Sequence, residues 1–335
     1  MRKKVLIVGA GGFMGSHLCE ACMQRGWDVW AGVRVSTNRK YLQHPALKFV
    51  VFDFDSEETL ATTLADEKPE GGWDYVIYNL GATKCLRFSD FNLINYTYLR
   101  RFLEALKNAG AVPEKLLYMS SLSVLGKGDE RGYTPFTGHS PAMPDTRYGT
   151  SKMKAETELA MSGLPYIIFR PTGIYGPRDR DYFLELQSLS KGFDFGAGYR
   201  RQCLTFIYGP DLALAACEAL EKAPTGRTYI LAEDRGYTQK EFRTLAMKAL
   251  GRKHCISITV PLWQLKMISA IAEKIGAARG KPSTLNRDKY NIMRQRNWLA
   301  DTSDARQDFG FRAPTSLDEG LRRSVEWYRS EGWLK

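Results

Sequence analysis

Residues 3–15, KKVLIVGAGGFMG, set an unbroken apolar run of strand length against four glycines, at 9, 11, 12 and 15. A continuous rather than alternating apolar run suits a strand buried on both faces. The stretch that follows, FMGSHLCEACMQRG (13–26), carries a helical stripe ended by Gly26. Gly9, Gly12 and Gly15 form G-x-x-G-x-x-G, close to but distinct from the G-x-G-x-x-G dinucleotide fingerprint. The physics is shared: glycine lets the chain turn tightly and bring its backbone up to a pyrophosphate at a helix N-terminus. An ordinary glycine-rich turn would read the same in isolation. Its place at the first strand–helix junction selects nucleotide binding.

The pattern repeats outward. WDVWAGV (27–33), LKFVVFD (47–53), DYVIYNLG (74–81), EKLLYMSS (114–121) and the start of YIIFRPTGIYGPRD (166–179) read as further strands. Helical patterns separate most of them, the clearest being FNLINYTYLRRFLEALKNAG (91–110). Buried strands alternating with helices predict an α/β, Rossmann-type doubly wound parallel sheet. Residues 1–172, with about 206–235, are assigned to this nucleotide-binding domain. Residues 173–205 and 236–335 are assigned to a smaller, mostly helical C-terminal substrate domain.

The end of the second strand speaks to which nucleotide. An acidic residue there suits the ribose 2′-hydroxyl of NAD, and an arginine suits the 2′-phosphate of NADP. The chain reads WAGVRVSTNRK (30–40), with Arg34, Ser36, Arg39 and Lys40 and no carboxylate. NADP is favoured over NAD by Arg34, although Arg34 stacked on an adenine or turned to solvent would leave NAD possible.

The 335 residues are 44% hydrophobic and 25% charged, a globular composition. The net charge of +11 suits an anionic ligand or plain solubility. Basic residues are scattered rather than gathered into a patch or tail, so no nucleic-acid partner is expected. Cys19 and Cys22 form a C-x-x-C with no second pair or nearby histidine, so they read as small core residues and no metal is expected. The N-terminus carries no signal-peptide pattern. Residues 262–278, LWQLKMISAIAEKIGAA, are broken by Lys266, Glu273 and Lys274 and read as an amphipathic helix rather than a membrane span. A cytoplasmic protein with no membrane partner is the expectation.

YGTSK (148–152) puts a phenol and an ammonium one helical turn apart. Alone, such a pair is usually a solvated face. Together with MSSLSVLG (119–126), the PTGIYGP turn (171–177) and the glycine loop, it resembles the extended short-chain dehydrogenase/reductase superfamily, in its NAD(P)-dependent epimerase/dehydratase branch. The resemblance spans nearly the whole chain, with four motifs in order. It implies that Ser121, Tyr148 and Lys152 are the catalytic Ser, the acid/base and its partner. By the same resemblance Gly9, Gly12, Phe13, Met14 and Gly15 line the phosphate loop. Arg34, Asp53 and Phe54 lie by the adenosine. Leu80, Gly81, Ala82 and Asn95 border the cofactor, and Pro171, Thr172 and Ile174 lie beside the nicotinamide. Thr83, Ser123 and Tyr175 are implied to meet the substrate, while Arg200 and Arg201 either grip a substrate diphosphate or are exposed loop charges. A free tyrosine titrates near 10, and a neighbouring ammonium should lower that value.

Two departures bear on the substrate, a small molecule. Sugar-nucleotide epimerases usually carry Arg and then Gly-Asp before the last D-x-S-K-A, where this chain has NIMRQRNWLADTSDA (291–305). Leu125 stands where many members have Tyr. Three readings stay open: epimerisation or dehydration of a nucleotide sugar, NADPH-dependent ketone or aldehyde reduction of the dihydroflavonol-reductase or hydroxysteroid-dehydrogenase type, and non-catalytic cofactor-dependent regulation. Asp211 reads as a helix N-cap. A homodimer is expected through the apolar faces of helices 90–109 and 148–161, although such faces are commonly core.

Overall fold

The computed structural model describes residues 2–334. From the first apolar run, β1 (Lys4–Val8) passes through α1 (Phe13–Gln24) to β2 (Asp28–Val33) and β3 (Lys48–Val51). Then come α2 (Glu57–Glu67), β4 (Tyr75–Tyr78) and α3 (Phe88–Asn92). One π-helical turn, Leu93–Thr97, joins α3 to α4 (Tyr98–Asn108). This half closes with β5 (Lys115–Met119), α5 (Arg147–Met161) and β6 (Tyr166–Pro171).

The second half continues through β7 (Gly173–Tyr175), α6 (Asp181–Ser190), β8 (Phe193–Ala197), β9 (Cys203–Leu204) and β10 (Phe206–Tyr208) into α7 (Gly209–Lys222) and β11 (Arg227–Leu231). It ends with β12 (Tyr237–Thr238), α8 (Gln239–Leu250), β13 (Ile256–Val260), α9 (Leu262–Ala278), α10 (Arg287–Arg294), α11 (Ser303–Phe309) and α12 (Leu317–Ser330).

The main sheet is parallel throughout, in the order β3-β2-β1-β4-β5-β6-β11. The chain leaves β1 toward β2 and returns to β4 on its other side, and this reversal opens a crevice at the strands' carboxyl ends. Side chains alternate across β1, so Val5 and Ile7 join the layer under α1 and α7, while Leu6 and Val8 join the layer under α2 and α4. That double burial is what the unbroken apolar runs encode. Cys19 and Cys22 are buried, and Cys22 meets Cys217 of α7 with sulfurs 3.5 Å apart.

Three placements differ from expectation. Asp211 is not an N-cap: the helix starts at Gly209 with Pro210 in its first turn, and Asp211 instead accepts from the Thr315 backbone N–H and hydroxyl, both at 2.9 Å. Ala305, Phe309 and Phe311 pack in the layer under α1 and α7, so α11 sits on the nucleotide-binding half although it lies within 236–335. The apolar stripes proposed to pair two copies face inward: Leu99, Phe102, Leu103, Ala155 and Leu159 cover the sheet. Among the described residues, no helix is long and apolar enough to cross a membrane.

Candidate active site

Glycines in the first turn have distinct tasks. Gly9 takes φ +85°, and a Cβ there would lie 2.8 Å from the Leu80 nitrogen. At Gly15 a Cβ would come within 2.2 Å of the Gly9 carbonyl oxygen, so α1 can lie on the turn only if residue 15 has none. Gly12 is different: it is exposed, its Cβ would meet only ordinary contact, and no side chain caps the helix it begins. The turn thus presents open backbone N–H groups at a helix N-terminus, which fits a pyrophosphate. Phe13 and Met14 turn their side chains against Gly209, so only their backbone faces that cradle.

Arg34 is exposed after β2, while Lys40 pairs with Glu331 at 2.6 Å and Arg39 lies over the Phe49 ring at 4.4 Å. Of these three cations, Arg34 is the one without a side-chain partner among the described residues. Asp53 is exposed at the end of β3. Phe54 is buried and stacked on Tyr98, so its ring belongs to the core, contrary to its expected place on the cofactor. Ile174 likewise packs against the core under α1 and α7.

The π-turn has a local purpose. It carries Asn95, fully buried, whose Oδ1 accepts from the Ala82 N–H at 2.7 Å and whose Nδ2 donates to the Ala82 carbonyl at 3.1 Å. The same Nδ2 reaches Ser151 Oγ at 2.9 Å, fastening the 79–82 segment to α5. Such turns recur at functional sites. Above it, a Cβ on Gly81 would sit 3.2 Å from both Asn95 Oδ1 and Lys152 Nζ, so Gly81 leaves the lysine room.

Helix α5 begins with Thr146, whose hydroxyl accepts the Gly149 N–H at 2.9 Å. Gly149 lies against the 121–125 turn: a Cβ there would stand 2.4 Å from the Ser123 carbonyl oxygen. This close approach sets Tyr148 beside the 121–125 turn, where the Ser121 hydroxyl donates to Ser123 Oγ at 3.2 Å. Desolvation pushes the Tyr148 phenol up to about 12, and the nearby Ser121 hydroxyl draws it partly back. Burial pushes Lys152 down to about 7, with Glu156 acting the other way. Lys152 Nζ donates to the Met119 carbonyl at 2.7 Å and lies over the Tyr118 ring at 4.7 Å. The expected lowering of the tyrosine is therefore reversed among the protein's own groups: Lys152 is buried and Tyr148 half-buried, and desolvation disfavours phenolate and ammonium alike.

Three supporting residues escaped the sequence reading. Glu156, one turn beyond Lys152, binds Arg170 of β6 and the Ser120 hydroxyl. Its signals were the i, i+4 spacing from Lys152 and an arginine inside the apolar run YIIFRP. Asp288 of α10 accepts the Tyr148 backbone N–H at 3.2 Å and joins the second half of the chain to α5. No local pattern announces that contact across 140 positions.

Beside this cluster opens a cavity of about 490 Å³. Ser121, Ser123, Pro171 and Thr172 form its inner wall, and Phe193, Phe195, Phe206, Phe242, Met293 and Trp298 are among its apolar lining. Its charged groups are few. Asp181 pairs with Lys84 and Asp194 with Arg243, leaving Glu185 and Lys289 outside ion pairs among the described residues. No arginine among the described residues lines it. Arg200 and Arg201 are exposed and off the cavity wall, which takes Gln202 instead. Tyr175 was expected at the substrate and is not there: it is buried among Tyr182, Phe206 and Tyr208, because alternation along β7 turns it into the core. Thr83 is exposed and does not line the cavity, although Lys84 does.

The chain belongs to the NAD dependent epimerase/dehydratase family, whose model matches residues 5–232. It is similar to the ceramide reductase of Caulobacter vibrioides (25% identical, covering 99% of this chain and 96% of that one). It is also similar to the UDP-glucose 4-epimerase of Vibrio cholerae (22% identical, covering 97% and 95%). Among solved structures, the dTDP-glucose 4,6-dehydratase of Bacillus anthracis in complex with NAD superposes with a TM-score of 0.77 (18% identity, covering 99% and 98%), a likeness of fold. The protein is thus an oxidoreductase of the extended short-chain dehydrogenase/reductase type.

Proposed function

We propose that this enzyme reduces a carbonyl group on a largely apolar substrate with NADPH, using Tyr148 as the acid. The cavity carries the reading: it is walled mostly by aromatic and aliphatic side chains, lacks arginine among the described residues, and keeps only Glu185 and Lys289 outside ion pairs. A diphosphate asks for charge-assisted donors, usually guanidinium forks. A long-chain or ring-system ketone asks for the apolar wall that is there. The similarity to a ceramide reductase agrees with such a substrate.

The glycine turn with its open N–H groups would hold the pyrophosphate, Arg34 the 2′-phosphate, and Lys152 with Asn95 the floor beneath the nicotinamide ribose. When bound, the nicotinamide cofactor supplies the hydride. Tyr148, with its phenol held near 12, keeps its proton at neutral pH and can give it to the carbonyl oxygen as negative charge develops there. Ser121 hydrogen-bonds that oxygen and fixes its position. Exclusion of water by the apolar wall strengthens both bonds. The intact trio of Ser121, Tyr148 and Lys152 argues against a purely regulatory protein.

A second reading, epimerisation of a nucleotide sugar, draws support from the Vibrio cholerae relative and from two lysines on the cavity wall, Lys84 and Lys289. The six free cysteines suit a reducing compartment. The deciding experiment is to purify the protein, identify any nucleotide it carries, and titrate NADPH and NADH. An empty site preferring NADPH, and NADPH oxidation with a long-chain ketone, is expected. Retained NAD that resists dialysis would overturn the reductase in favour of the epimerase.

A further inference from the structure

Helix α9 is built the wrong way out for a water-facing helix. Trp263, Met267, Ile271 and Ile275 recur every fourth residue and are 65%, 53%, 51% and 47% exposed, with Ile268 exposed alongside them. The helix is fastened to the body by the opposite side, through Leu265 and Ser269. An ordinary surface helix turns its apolar stripe inward and its polar face to solvent.

This ridge continues to the cavity. Leu262, at the start of α9, packs on Gly198 just after β8. On β8, Phe193 and Phe195 are exposed and also line the cavity, so they form its rim. Their partner strand β13 adds exposed Ile256 and Ile258. From α9 the chain turns into α10, whose Ile292 and Met293 line the cavity from the other side.

Charge around the ridge has one sign. Residues 252–281 hold Arg252, Lys253, Lys266, Lys274, Arg279 and Lys281, all exposed and none in an ion pair among the described residues. The single carboxylate there, Glu273, is already held by Arg147 and Arg287. An apolar ridge flanked by unpaired cations is the pattern of a helix that lies in the plane of an anionic bilayer surface. A second copy fits worse, because a two-fold pairing would set like cations against each other.

We infer that α9 and the β8–β13 edge dock the protein peripherally on an anionic membrane, with the cavity mouth at the bilayer surface. Docking stands on the ridge and its charges; the corollary, that the cavity draws its substrate from the bilayer, rests on the apolar-substrate reading above. The proposal departs from the sequence-based expectation of no membrane partner: α9 would lie on the surface, not span it.

The test is co-sedimentation of the full chain with phosphatidylcholine vesicles, with and without phosphatidylglycerol, at low and high salt. Ile271→Glu/Ile275→Glu serves as the ridge variant, and NADPH titration verifies that it folds. Wild type is expected to sediment with the phosphatidylglycerol vesicles and to be released by salt, with the ridge variant retained about tenfold less and its NADPH affinity unchanged. Equal retention of the variant, or no vesicle binding by wild type, overturns the inference. A dimer in sedimentation velocity that the variant abolishes, without vesicle binding, overturns it in favour of self-association. NADPH oxidation with a water-soluble short-chain ketone tests the cavity separately, so the docking and the reductase readings can fail independently.

Discussion

Glu156 and Arg170 form a bidentate ion pair, Nη2 to Oε2 at 2.6 Å and Nε to Oε1 at 3.0 Å, with both side chains nearly sealed from water. The pair ties α5 to β6 one turn beyond Lys152, and Ser120 adds a third bond from the end of β5. It holds α5 against the sheet at its carboxyl edge.

Breaking one partner leaves a buried charge uncompensated. Glu156→Gln is therefore expected to lower the unfolding free energy by about 3 kcal/mol, read as a shift in the urea midpoint at unchanged slope. Replacing both residues, as Glu156→Leu with Arg170→Met, should recover much of that loss. A Glu156→Gln midpoint equal to wild type would show that the pair does not anchor the helix.

Tyr148→Phe keeps the ring and removes the proton. Turnover should fall by about 10²- to 10⁴-fold while the NADPH dissociation constant changes little, measured by stopped-flow reduction and fluorescence titration. Ser121→Ala should lower turnover in the same direction by a smaller factor. Full activity in Tyr148→Phe would remove the proposed acid.

Among the described residues, Arg34 is the cation after β2 whose side chain has no partner. Arg34→Glu should weaken NADPH by about 10- to 100-fold, the worth of a charge-assisted hydrogen bond, and should leave NADH equal or better. Titrating both cofactors against both proteins checks this; an unchanged ratio would place the 2′-phosphate elsewhere, or nowhere.

Lys152 yields a prediction with a sign. Its folded value of about 7 lies below the ordinary 10.5 of the unfolded chain. Between those values the unfolded state binds a proton that the folded state does not, so this group's contribution to stability rises with pH across the window. The cost of the buried amine is fully present below pH 7 and relieved toward pH 10.5. Lys152→Met should thus raise the melting temperature most below pH 7 and progressively less at alkaline pH, while turnover is lost. Thermal melts across the range decide it: a gain that grows with pH would refute the buried-amine argument.

Much of this molecule is written locally. KKVLIVG, DYVIYNLG and EKLLYMSS are buried on both faces and say so without a break, and the glycines at 9 and 15 answer to contacts within a few residues or with the adjacent strand. The Tyr148–Lys152 spacing is a property of one helical turn, legible before any fold is known. Tyr175 was misplaced because the pleat of β7 decides whether a residue beside the site faces it or the core, and Phe54 because it lies in a bend beyond β3 that turns its ring onto Tyr98; the motifs carry neither direction.

What the sequence by itself determined is the parallel sheet and the glycine turn after its first strand, because short-range periodicity and sterics specify them; the roles of Ser121, Tyr148 and Lys152 came from the family resemblance. What only the tertiary structure decided is everything set by distant neighbours. Arg170 meets Glu156, Asp288 meets Tyr148 across 140 positions, desolvation and not the nearby charge governs the tyrosine and lysine, and α9 attaches through Leu265 and Ser269. Periodicity showed that α9 has an apolar side; only packing showed that this side is turned outward.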